Sequence, residues 1–182
     1  MSDVVTPETV LAFWRAAGPD KWFSKNDAFD AEIRSRFLPT YEAAAAGKLA
    51  SWEDKVESAL ALVIALDQFP RNMFRGDKRA FAADPLARQV ADRALARGFD
   101  QQLPPAERTF FYLPFEHSEN LADQERCLTL YRALGNAENL KWAELHADII
   151  RRFGRFPHRN AMLGRDTTAE EQTFLNGGGF SG

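Results

Sequence analysis

The sequence holds a single cysteine, Cys127, among 182 residues, which excludes an intramolecular disulfide. Cys127 falls at helical spacing between Gln124 and Leu128 and reads as a small buried hydrophobe. Histidine is nearly as scarce, with only His117, His146 and His158. No His-Glu-x-x-His, no Glu-x-x-His and no cysteine pair occurs, so the sequence predicts no metal site. It also lacks a phosphate-cradling glycine loop and a Gly-x-Ser-x-Gly elbow, so no cofactor is implied and a familiar serine hydrolase is disfavoured. There is no basic excess: the net charge of -3 and the pI near 5.7 argue against a general nucleic-acid binder. The longest unbroken apolar run, 59–66, is far short of the roughly 20 residues that a membrane helix needs. The opening MSDVVTPETV shows no basic region followed by an apolar core, as a secretory signal would. A soluble cytoplasmic protein, without membrane or nucleic-acid partner, is the expectation.

What is present is bulk for a core. Hydrophobic residues make up 45%, with 15 Phe and 4 Trp, and the length suits one domain spanning 1–182. Apolar residues recur at three and four rather than two, and no alternating run with Asn-Gly or Asp-Gly turns appears, so the predicted fold class is all-α. Thr6-Pro7-Glu8 supplies a cap, a first-turn proline and an acid for a helix that stops at Gly18. The next opens near Asn26 or Asp27, spaces Phe29, Ile33 and Phe37 at four, passes or kinks at Pro39 and ends at Gly47. Ser51 to Asp54 resembles a capping box opening a helix apolar nearly all round, 56–66, which Pro70 is expected to end. Further starts are read at Asp84-Pro85, at Pro104-Pro105, at Ser118 as a cap, at about Ala137 and at Thr167-Thr168. Gly98, Gly135 and Gly154 provide stops. The Gly-rich end, about 176–182, is expected to be flexible and to pack little. Short connections predict stacked antiparallel helical hairpins.

One phrase occurs twice. LDQFPRNMF (66–74) and GRFPHRNAM (154–162) share Phe-Pro, Arg-Asn and Met in order, with His158 inserted. Asp67 lies on the buried stripe of its helix and needs an opposed Arg, so it is read as a structural ion pair. Trp142, Ile149 and Phe153 are read as a stripe that also holds His146, a satisfied core histidine. Between 149 and 164 there are four Arg and no acid, a local surplus of positive charge that suits a carboxylate or phosphate. The junction segment carrying Glu116, His117 and Glu119 is expected near the two phrases. Glu119 is favoured as a cap for the helix at Ser118, and a His flanked by carboxylates titrates near neutral pH.

LDQFPRNMFRG, FFYLPFEHSENLADQER and RFGRFPHRNAMLGR followed by TTAEEQTFL resemble an uncharacterised bacterial family, domain of unknown function nine-two-four, from about residue 10 to 180. The resemblance implies an all-α fold similar to tetratricopeptide-like helical arrays and assigns no chemistry. The residues themselves leave three readings open. The first is a binding module whose rim pocket, walled by Arg71, Asn72, Arg75, His117, Arg155, His158, Arg159 and Asn160, receives an anionic small molecule or an acidic peptide end. The second is an enzyme acting on a small anionic metabolite, with His117 or His158, and Glu116 beside them, as acid/base candidates. The third is a protein-interaction scaffold.

Overall fold

The computed structural model describes residues 3–180. Among these, every regular element is helical and no strand occurs. No helix there is long and apolar enough to cross a membrane. The chain divides into two compact units, Met1–Pro114 and Phe115–Gly182.

In the first unit, α1 (Pro7–Ala17) starts as its cap requires, Thr6 accepting the Thr9 amide. A short α2 (Pro19–Trp22) follows, which the sequence did not reveal, and Trp22 donates its indole N–H to the Trp14 carbonyl at 2.7 Å. Next comes α3 (Asp27–Ala45), capped by Asn26, which runs through Pro39 and buries Phe29, Ile33 and Phe37. The apolar helix departs from expectation at both ends. Ser51 lies in a 3-10 turn (Ala50–Asp54) and forms no capping box; α4 (Val56–Val63) opens after an extended Lys55 instead.

At its far end, α4 passes into a π-helical turn (Ile64–Gln68) and then α5 (Phe69–Met73), so Pro70 does not end the helix. A proline inside an α-helix lacks an N–H and collides with the preceding turn. The π turn, closed by the Phe69 amide on the Ile64 carbonyl, widens the helix by one residue just before Pro70 and lets the chain continue. Because the turn carries Ile64, Leu66 and then Phe69 inward, Asp67 is carried inward with them and is fully buried. The Phe69 ring meets Phe37 at 4.8 Å and stands edge-on to Trp14 at 5.8 Å.

α6 (Asp84–Ala96) and α7 (Pro105–Glu116) complete this part of the chain, the last two residues of α7 belonging to the second unit. Phe110 on α7 packs edge-on to Trp14 at 5.7 Å, and Ile33 is fully buried among these elements. Shortening Ile33 to Val should cost about 0.5–1.5 kcal/mol in urea unfolding, as for a well-packed core methylene. A cost near zero would mean that the α3 contact is loose.

In the second unit, α8 (Leu121–Leu134) and α9 (Ala137–Phe153) pack together as a hairpin. Its turn is Gly135, left-handed at φ 74°, followed by Asn136, whose side chain caps α9. Ser118 is not the cap of α8. Asn120 is, and Ser118 Oγ accepts the Asn120 amide while donating to Asp123. α10 (Asn160–Leu163) and α11 (Ala169–Asn176) follow, the latter opened by a full capping box of Thr168 and Glu171. Trp142, expected on the buried stripe of α9, is 48% exposed, while Ile149, Ile150 and Phe156 form the core there.

Candidate functional site

The two copies of the repeated phrase fall in different units, and in each the polar residues meet carboxylates of their own unit. In the first copy, Arg71 forks onto Asp84, at 2.9 and 3.0 Å, and its Nη1 also reaches the Asp67 carbonyl at 2.8 Å and carboxylate at 3.3 Å. Burial works against this guanidinium charge, and Asp84 and Asp67 more than offset it, leaving the pKa raised. Gln68 donates to the other oxygen of Asp67 at 2.7 Å. Asp67 is therefore in the ion pair that its position demanded. Asp84, read from the sequence as a helix cap, forms no cap and serves Arg71 instead. Asn72 donates to Asp30 at 2.8 Å, and Arg75 forks onto the same carboxylate at 2.8 and 3.1 Å.

The second copy repeats the arrangement with other acids. Arg155 grips Glu171 at 2.6 and 2.9 Å, and Asn160, fully buried, donates to Glu171 at 3.2 Å. Hydrogen bonding from Arg155, aided by the Thr168 amide, holds the Glu171 carboxyl down at about 2. Glu119, expected as a helix cap, instead takes Arg165 on both oxygens, at 2.7 and 3.0 Å, and the Phe156 amide at 2.8 Å. Three of the four arginines between 149 and 164 meet acids outside that window: Arg151 pairs with Glu125 and Asp148, Arg152 with Glu170 and Arg155 with Glu171.

The histidines behave differently. All three belong to the second unit and gather near the end of α7. Gln124, with no exposure, donates to the carbonyls of Glu116 and Ser118 at 2.6 and 2.7 Å. These are end-of-helix carbonyls without an intrahelical donor, so the glutamine fixes the corner that carries Glu116 and His117. His146 Nδ1 lies 2.8 Å from the Trp142 carbonyl oxygen and 3.2 Å from Glu116 Oε1, so that nitrogen holds the hydrogen. The Glu116 carboxylate favours a charged ring, but burial opposes it and prevails. Burial, together with positive charge on His117, Arg159 and His158, lowers His146 to about 4 against the pull of the Trp142 carbonyl. Arg159 is buried with its guanidinium 4.5 Å above the Phe156 ring, and Phe156 tilts against His158 at 5.7 Å. Cys127, fully buried beside the Glu116 backbone, has its thiol pushed up by burial, which makes it unreactive. Among the described residues no group of three or more His, Cys, Asp or Glu is placed to hold a metal ion.

Because the unfolded chain binds a proton at His146 near 6.5 and the folded chain only near 4, stability should fall as pH drops through that window, by up to about 3 kcal/mol. An NMR titration of the three imidazoles checks this directly. His146 should remain neutral at pH 5, and a midpoint at or above 6.5 would show that Glu116 outweighs burial.

The family described as "Bacterial protein of unknown function (DUF924)" matches residues 10–179. The chain belongs to this family. A solved structure described as that of a protein of unknown function, ATU0120, from Agrobacterium tumefaciens, is 49% identical and superposes with a TM-score of 0.92. The similarity covers 94% of this chain and 97% of that one. No curated protein matches.

For this DUF924 chain the sequence picked out His117, His158, Arg159 and Glu116, which the fold brings into one cluster. It read His146 as a satisfied core histidine, and His146 is buried and bonded to the Trp142 carbonyl, at the centre of the cluster. The available signal was the spacing of His146 seven residues before Phe153 on the inner face of α9.

Proposed function

We propose that the second unit is a binding module for a small anion, received where His117, His158 and Arg159 surround His146. The observation that carries this is the convergence of His117, His158 and Arg159 on His146, whose ring also contacts Glu116. Imidazole and guanidinium groups are the side chains that bind carboxylate and phosphate, and both His117 and His158 are half-buried, within reach of a solute. Arg71, Asn72, Arg75, Arg155 and Asn160 serve the frame instead, since Asp84, Asp30 and Glu171 occupy them.

The test is thermal unfolding in phosphate, sulfate and succinate, for the wild type and for His117→Ala/His158→Ala. An anion that binds only the folded state raises Tm. The wild type should gain several degrees in at least one anion and the double variant almost none, with the two melting alike in chloride. Equal gains in both proteins would remove the site.

The contact between His146 and Glu116 favours a second reading, in which the bound anion is also a substrate and His117 or His158 exchanges its proton. That reading requires turnover of an anionic metabolite that His117→Ala or His158→Ala abolishes. Binding without turnover leaves the module alone.

A further inference from the structure

Of the Gly-rich segment expected to be slack, 176–182, residues 181–182 lie outside the described residues, and the part up to Phe180 reaches the histidine cluster. Phe180 stands edge-on to both imidazoles, its ring centroid 4.6 Å from His146 at 63° and 5.2 Å from His158 at 81°. It also packs on the core formed by Ile149, Ile150 and Phe156. The residues before it carry it there by having no side chains. Gly178 is left-handed at φ 78°, and a Cβ on Gly179 would lie 2.6 Å from both the ring and the carbonyl oxygen of Phe174. Backbone bonds from Gly178 to Leu175 and from Gly179 to Phe174, at 3.3 and 3.0 Å, are what hold the turn. The run of glycines that reads as slack is what lets the chain fold tightly over Phe174 and deliver one aromatic ring.

That ring occupies a place with a definite chemistry. Two imidazoles present edges and faces to it, Phe156 lies behind them, and the guanidinium of Arg159 lies over Phe156. A phenyl group fits this seat, and cationic groups border it. We propose that the place filled by Phe180 is the ring-binding half of the anion site, so that its ligand is a small aromatic carboxylate whose ring displaces the chain's own tail. This deepens the anion-binding reading and rests on it for the carboxylate, which His117, His158 and Arg159 would take. The tail is suited to displacement because Phe180 is only half-buried and three flexible glycines regain freedom on release. While in place it competes intramolecularly, at an effective concentration in the millimolar range, and so weakens the apparent affinity.

The experiment is an NMR titration, followed at the imidazole resonances, of the full chain, of a chain lacking residues 178–182, and of full-length Phe180→Ala. The probes are 3-phenylpropionate and acetate. Removing the tail ring should itself shift the His146 and His158 signals through loss of its ring current. The 3-phenylpropionate affinity should then rise by about tenfold or more in both variants, with acetate affinity unchanged. If 3-phenylpropionate binds the variants no more tightly than the full chain while acetate and phosphate still shift His117 and His158, the ring seat is refuted and the anion site stands. If no anion shifts any imidazole, both readings fail. Phe180→Ala keeps the chain length, so the test holds should the truncated chain fold poorly.

Discussion

Arg71→Ala should lower the unfolding free energy by about 3–5 kcal/mol, the cost of removing one partner from a buried ion pair. The substitution strands two carboxylates at once. Asp67 and Asp84 have side chains only 1% and 8% exposed, and the Arg71 guanidinium binds both. Left alone, each must recruit a proton or admit water, and both routes destabilise the junction of the π turn, α5 and α6. Arg75→Ala is the natural control: it removes a guanidinium from the same phrase, but one 41% exposed, and should cost no more than about 1 kcal/mol. Urea unfolding of both variants decides the matter. Equal losses would mean that burial of Asp67 and Asp84 is not what gives Arg71 its weight.

The corresponding break in the second unit is Glu171→Ala. This carboxylate, 3% exposed, accepts two bonds from Arg155, one from the Thr168 amide and one from Asn160. Its loss takes the acceptor from four N–H donors of three residues and should cost about 3 kcal/mol. Hydrogen exchange at the α11 amides should accelerate far more than at α8. The same carboxylate carries a pH dependence. Its folded pKa near 2 lies below the ordinary 4.5, so the unfolded chain binds the proton first as acid is added. Its contribution is whole above 4.5 and is lost as pH falls toward 2, a loss that Glu171→Ala should no longer show. Unchanged exchange at α11 would contradict the role given to Glu171.

Much of the fold was legible because helix ends are local. Thr6, Asn26 and Thr168 cap the helices they precede, and Gly135 and Gly154 end theirs, since each needs only its neighbours in sequence. Pro70 misled because a general rule about proline met a widened turn that no sequence period announces. Ser51 misled because it lies in a 3-10 turn ahead of the helix, and Ser118 because its hydroxyl bonds Asp123 and the Asn120 amide instead.

The site was legible in its residue types and not in its pairings. Counting charge within a window of sixteen residues made the second phrase look strongly cationic. Its acids, Glu125, Glu170 and Glu171, lie outside that window and arrive through the fold. Asp30 reaches Arg75 across 45 positions, a distance along the chain that carries no local trace. Phe180 was overlooked for a related reason: glycines were read as freedom, whereas Gly178 and Gly179 supply a turn that residues with side chains would obstruct.

Within the repeated phrase Arg71, Asn72, Arg75, Arg155 and Asn160 pair with carboxylates of their own unit, whereas His158 and Arg159, with His117, are the residues proposed to receive the ligand beside His146. Titrating full-length protein with phosphate and with succinate while recording the imidazole resonances separates those roles most directly. His117 and His158 should move with a saturable dependence on anion, and Arg75→Ala should leave the curves unchanged. Imidazole signals that stay fixed in both anions, or a response that Arg75→Ala eliminates, would contradict it.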